Sequence, residues 1–135
     1  MKIAISTGGG DAPGLNAVIR GAVLAAIHRG WECVGIRRGY DGLLGEDRVV
    51  PLDANAVRGI THLGGTILGT TNRGDPFRWR APRSNGPSVE RDRSDELVAA
   101  FRTLGIDALI AIGGDGSLRI AQRLFREKEI GRAHV

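Results

Sequence analysis

A short apolar run, a glycine turn bearing an aspartate, and a helix-like segment follow one another at two places in this chain. The first turn is Gly8-Gly9-Gly10-Asp11 and the second is Gly113-Gly114-Asp115-Gly116-Ser117. Strand, tight turn and helix in that order is the opening half of a βαβ unit. Its repetition confines the fold to the alternating α/β class with a mostly parallel sheet. The turns also have a chemical reading. Glycine lets backbone approach a ligand closely, so that amide N–H groups and the start of the next helix point at bound anions. An aspartate beside them offers an oxygen seat for Mg²⁺, which commonly bridges a carboxylate and substrate phosphates.

The intervening residues fill in the alternation. Ile3 to Ser6 predicts a strand. From Leu15 to His28, Leu15, Val18, Ile19, Ala22, Val23, Ala26 and Ile27 recur at helical spacing and are expected to form one buried face. Pro13-Gly14 marks the start of this helix and Arg29-Gly30 its stop. Trp31 to Ile36 predicts the second strand of a βαβ unit. Residues 37–53 are rich in glycine and read as a loop or hairpin around Gly42 to Asp47. Asp53 is expected to cap a short helix running to His62, and Gly64 to Arg73 to form a short strand entered and left through glycines.

Residues 76–93 carry Pro76, Pro82 and Pro87 and many arginines with little periodicity, and read as a solvated surface loop. Ser94 to Leu104 predicts a helix with Ser94 as N-cap, Asp95 and Glu96 in the first turn, and Gly105 as the stop. Asp107 to Ile112 is a continuous apolar run, expected to be a central parallel strand buried on both faces. Leu118, Ile120, Ala121, Leu124 and Phe125 carry the last helix. Both glycine turns then fall at the carboxyl ends of strands, where open α/β sheets bind ligands.

Composition removes several classes. The chain has 135 residues and 41% hydrophobic content, enough for one domain with its own core. A 4% aromatic share beside 21 glycines suits tightly turned strand and helix units better than an aromatic-rich sandwich. A net charge of +4 favours anionic ligands without separating nucleotides from nucleic acid. Cys33 is the single cysteine, so no internal disulfide forms, and it reads as a small core residue. The apolar start is too short for a signal peptide, and no run approaches the roughly 20 apolar residues of a membrane span. A cytoplasmic protein with no membrane partner is expected. His28 and His62 read as structural.

Taken singly, either glycine turn is also an ordinary tight connection. Neither is a Walker A loop, because no lysine follows in the G-x-x-x-x-G-K pattern. A dinucleotide site is disfavoured too: the acidic residue that should end the second strand is Glu32, at its beginning. Three segments taken in order are more specific. GGGDAPGLNAVIRG (Gly8 to Gly21), GGTILGT (Gly64 to Thr70) and IAIGGDGS (Ile110 to Ser117) resemble the amino-terminal part of the 6-phosphofructokinase family, over Met1 to about Lys128.

The resemblance implies a three-layer, Rossmann-like parallel sheet, the N-terminal lobe of the phosphofructokinase fold. It also implies transfer of the γ-phosphoryl group of MgATP to the 1-hydroxyl of fructose 6-phosphate, giving fructose 1,6-bisphosphate in glycolysis. By position, Gly9 contacts ATP phosphates, Gly114, Asp115, Gly116 and Ser117 cradle them, and Asp115 holds Mg²⁺. Tyr40 falls where the family places an aromatic near the nucleoside, and Arg73 and Arg78 near arginines that face the phosphates. The stretch around Thr70 to Arg73 is one residue longer than in well-known bacterial members, so either Asn72 or Arg73 takes the arginine's place. Gly116 favours ATP, since pyrophosphate users usually carry Asp there. Leu24 and Ala54 replace two arginines of the family's effector site, so a standard effector site is not expected. A homo-oligomer, homotetramer or homodimer, is implied for the full-length protein.

The family's catalytic base lies in a Thr-Ile-Asp-Asn-Asp segment, and that segment and the sugar-phosphate residues are absent from this sequence. Residues 129–135 read as the translation of a sequencing adapter. The chain is therefore expected to be residues 1–128 of a nucleotide-binding lobe with a non-native tail, carrying no catalytic residue and inactive alone. The competing readings are a pyrophosphate-dependent phosphofructokinase, a diacylglycerol or nicotinamide-nucleotide kinase with a GGDG loop, and an arginine-rich nucleic-acid binder using Arg73 to Arg93. The second lacks a reason for GGGDAPGLN and GGTILGT. The third lacks interleaved aromatics beyond Phe77 and Trp79, so no nucleic-acid partner is expected.

Overall fold

The β1 strand, Lys2–Thr7, is nearly all buried and forms the seam of the molecule. In a computed structural model, which describes residues 1–9, 13–44, 49–70, 75–81, 89–128 and 132–134, the main sheet has five strands in the order β3-β2-β1-β6-β7. These are β1, β2 (Glu32–Ile36), β3 (Val49–Pro51), β6 (Ala108–Ile112) and β7 (Arg132–His134). β1 pairs in parallel with β2 and with β6, β6 in parallel with β7, and β2 antiparallel with β3. A separate ribbon pairs β4 (Trp79–Ala81) with β5 (Val89–Arg91). The helices are α1 (Leu15–His28), α2 (Asp41–Leu44), α3 (Ser94–Thr103) and α4 (Asp115–Lys128).

Side-chain alternation on the strands produces the layers. Ile3, Ile5, Cys33 and Ala108 face one side, where Ile19, Val23 and Ala26 of α1 pack. Ala4, Val34, Ile36, Leu109 and Ala111 face the other, against Leu97, Val98 and Phe101 of α3 and Ala121 and Leu124 of α4. A one-residue slip of β1 would exchange these two sets, so burial on both faces fixes the register. Each fully buried Ile or Leu contributes about 1.5–3 kcal/mol. The three-layer α/β arrangement read from the sequence is present.

Several local expectations fail, each for a physical reason. Val18 and Ile27 are exposed, and the buried stripe of α1 is narrower and includes polar Asn16. Asp53 caps a turn rather than a helix: its Oδ1 accepts the Ala56 N–H at 2.8 Å, and Gly59 turns left-handed at φ 72°. No strand forms over residues 64–70, because Gly65 and Gly69 both have positive φ and the backbone turns back on itself. The stretch read as a loop or hairpin does return as one, with β3 antiparallel to β2 and the short helix α2 between them, and residues 45–48 lie outside the described residues.

The expected surface loop at 76–93 holds a 3₁₀ turn, Pro76–Arg78, and the β4–β5 ribbon, anchored by buried Pro76, Phe77 and Trp79. Ser94 is the first residue of α3 rather than its cap. Its N–H and its Oγ–H both donate to Asp92 Oδ1, at 2.9 and 2.6 Å. α4 begins at Asp115, inside the second glycine turn, and its Phe125 is exposed. β7 lies within the segment read as a tail and extends the sheet beside β6.

Candidate functional site

The crossover from β1 runs through α1 to β2 on one side, and that from β6 runs through α4 towards β7 on the other. The two glycine turns therefore leave adjacent parallel strands where the chain direction diverges, the place at which open α/β sheets form a crevice. They lie against each other. The Gly8 N–H donates to the Ile112 carbonyl at 2.9 Å, and the Leu118 N–H to the Gly114 carbonyl at 3.0 Å at the start of α4.

The glycines divide by what a side chain would meet. A methyl group on Gly8 would lie 2.4 Å from Ser117 Oγ, and one on Gly113 2.8 Å from the Gly8 carbonyl oxygen. Those two positions are required for turn-on-turn packing. Gly9 has φ 79°, a conformation that L side chains rarely adopt. Gly114 and Gly116 are different. Neither has a positive φ, and a methyl on either would meet nothing within 4 Å. Both line a cavity of about 290 Å³ together with Gly8, Gly9 and Ser117.

Tyr40 and Gly39 wall the same cavity from the loop after β2. That loop is pinned by Ser6 Oγ–H, which donates to the Gly39 carbonyl at 3.1 Å, and by the Arg38 N–H, which donates to the Leu68 carbonyl at 2.8 Å. Burial pushes the Tyr40 phenol well above its usual range, so it enters the cavity wall as a neutral aromatic. Burial likewise raises the Cys33 thiol to about 11, in keeping with a core residue.

Residues 64–70 act as a brace. The Ile67 N–H donates to Asn16 Oδ1 at 2.7 Å, while Asn16 Nδ2 donates to the Leu63 carbonyl at 3.1 Å. Thr7 Oγ1 donates to the Gly69 carbonyl at 3.0 Å. Asn16 and Thr7 are both buried, so these bonds satisfy groups that water does not reach. Gly64 to Thr70 thus ties α1 to the end of β1.

The structure brings together Gly9, Tyr40, Gly114, Gly116 and Ser117 around one cavity. Asp115 sits between Gly114 and Gly116, exposed in the first turn of α4, and is outside that lining. Arg78 is exposed and pairs with Glu90 at 3.2 Å. Arg73 lies outside the described residues, as do Asp11 and Asn72. The sequence reading missed Asp75, Ser6, Gly39 and Ile120, which also line the cavity. For Asp75 a signal was available: Asp followed by Pro is the pattern of a helical-turn cap, and its Oδ1 accepts the Phe77 N–H at 2.9 Å. No three His, Cys, Asp or Glu side chains converge among the described residues.

A mostly parallel sheet with a glycine-lined crevice at its switch point defines the open α/β class. Known proteins narrow this. The family described as Phosphofructokinase matches residues 2–135, and the chain belongs to that family. It is 47% identical over 127 residues to ATP-dependent 6-phosphofructokinase 2 of Clostridium perfringens, a match covering 93% of this chain and 34% of that protein. It is 47% identical over 130 residues to ATP-dependent 6-phosphofructokinase 1 of a Nostoc species, covering 96% of this chain and 35% of that protein. The chain thus spans about a third of the length of these relatives. Phosphofructokinase from Pichia pastoris in the T-state superposes with a TM-score of 0.77 at 38% identity, over 94% of this chain and 12% of that one. No helix among the described residues is long and apolar enough to cross a membrane.

Proposed function

We propose that residues 1–128 are the donor side of an ATP-dependent 6-phosphofructokinase, binding MgATP for phosphoryl transfer to the 1-hydroxyl of fructose 6-phosphate. One observation carries this reading. Gly114 and Gly116 have neither a packing nor a backbone reason to be glycine, and both open onto the cavity between the turns. A ligand that fills the space where a Cβ would stand supplies the reason. Polyphosphate suits the surroundings, because the start of α4 presents unpaired N–H groups and the positive end of the helix dipole.

Within this reading Gly9, Gly114 and Ser117 contact the phosphates, and Tyr40 flanks the nucleoside. Asp115 holds Mg²⁺, which when bound offsets charge on the transferring phosphoryl oxygens. Arg73 and Arg78 supply positive charge to the phosphates. Arg78 would exchange its exposed Glu90 partner for a phosphate, an exchange opposed by only about 0.2–1 kcal/mol for such a pair. The proton acceptor for the sugar hydroxyl and the sugar-phosphate ligands belong to the rest of the enzyme, a cytoplasmic homo-oligomer.

Equilibrium binding of MgATP to the 135-residue chain tests the reading. Gly116→Ala is expected to weaken MgATP about tenfold or more while leaving the urea midpoint unchanged or raised, since Ala outranks Gly in a helix by about 1 kcal/mol. Asp115→Ala should abolish the Mg²⁺ dependence, and Arg91→Ala should change neither. Undiminished affinity in Gly116→Ala, or an equal loss in Arg91→Ala, refutes it.

A further inference from the structure

Asp75 is the one acidic side chain among the described residues lining the cavity, and no basic side chain is among them. Its placement is firmly set. Oδ1 caps the 3₁₀ turn through the Phe77 N–H, Pro76 and Phe77 are buried, and the Arg123 guanidinium of α4 lies 3.8 Å over the Phe77 ring. Arg123 is held in turn by Glu127, at 3.1 and 3.2 Å. The carboxylate therefore reaches the cavity from a turn clamped to the helix whose Gly116 and Ser117 also line it, with the Arg123 guanidinium close enough to interact with it electrostatically.

A carboxylate is the wrong group for a site that takes bare polyphosphate. Beyond the metal and the cations assigned above, the phosphates are held by backbone dipoles, and a carboxylate in the lining offers them no favourable contact and opposes their charge. The same carboxylate is the right group if part of the ligand is a hydrogen-bond donor, such as the ribose hydroxyls or an exocyclic amino group. A hydrogen bond to an ionised acceptor is among the stronger ones, and the cap engages Oδ1 alone. We propose that Asp75 is a specificity residue that makes the cavity prefer a nucleoside polyphosphate to an inorganic polyphosphate. This rests on the polyphosphate reading above and adds a second determinant beside Gly116.

The test is the ratio of affinities of the 135-residue chain for ATP and for inorganic tripolyphosphate, both with Mg²⁺. The two probes share the phosphate chain and differ in the nucleoside. Asp75→Asn keeps an acceptor for the Phe77 N–H and removes the charge, and Asp75→Ser does the same with a shorter side chain should the Asn variant fail to fold. The wild-type chain is expected to prefer ATP, and either variant to lower that preference about tenfold, weakening ATP and tightening tripolyphosphate. A ratio unchanged in the variants, or a wild-type chain that binds both probes equally, overturns the proposal and leaves the polyphosphate reading standing. Failure of the wild-type chain to bind either probe overturns both.

Discussion

Adding one methyl group to Gly8 separates glycines needed for folding from those kept free for a ligand. The new Cβ would stand 2.4 Å from Ser117 Oγ and 3.2 Å from Ser117 Cβ, so the Ser117 hydroxyl must rotate away and the Cβ contact must give by a few tenths of an ångström. Overpacking of that kind costs about 1–3 kcal/mol. In a Ser117→Ala background the hydroxyl is gone and only the 3.2 Å contact remains, so the cost of Gly8→Ala should fall below about 0.5 kcal/mol. Gly113→Ala is the contrast. Its methyl would meet Ser117 Cβ at 2.7 Å and the Gly8 carbonyl at 2.8 Å, neither of which Ser117→Ala removes, so about 2–3 kcal/mol should be lost in both backgrounds. Urea unfolding followed by far-UV circular dichroism measures all four energies of each cycle. Gly8→Ala equal to wild type, or Gly113→Ala rescued as fully as Gly8→Ala, would refute the account of turn-on-turn packing.

Asn16→Ala strips the Ile67 N–H of its acceptor and the Leu63 carbonyl of a donor in a buried setting. It should cost about 1–3 kcal/mol and speed hydrogen exchange at Ile67, and an unchanged exchange rate counts against the brace. Ser94 holds the Asp92 carboxyl below its ordinary range, first through its side chain and then through its backbone N–H. Because the folded-state value is lowered, this stabilisation is present above the unfolded-state value of about 3.9 and is lost as pH falls through the folded value. Ser94→Ala should flatten that acid limb in a pH series of urea midpoints, and an identical limb would dismiss the link.

The elements that were legible in the sequence are those whose own residues decide them. α1 carries an apolar repeat between Gly14 and Gly30, both at positive φ, and β6 is an uninterrupted apolar run. Elements decided by distant partners were not legible. Trp79–Ala81 becomes a strand only because Val89–Arg91 returns beside it, whereas the return of Val49–Pro51 on β2 matches the hairpin read there. Gly64–Thr70 was legible as important and misread in kind. Its glycines serve left-handed turns, and its backbone partners are Asn16 and Thr7, some fifty residues earlier. The cavity glycines were legible from their position after strands, whereas the Asp75-Pro76 signal pointed to a turn cap and not to the cavity that Asp75 also lines.

The cavity's two halves lie at opposite ends of the chain. Lys2 and Asp107 are 105 positions apart and are joined twice, the Lys2 N–H to Asp107 Oδ2 at 2.8 Å and the Asp107 N–H to the Lys2 carbonyl at 2.8 Å. Closing a loop of that length is slow compared with forming α1 and β2. During synthesis the first glycine turn leaves the ribosome about a hundred residues before its counterpart, so the crevice waits for β6 and the start of α4. The appearance of the crevice would therefore report the pairing of β1 with β6 rather than local structure at either turn.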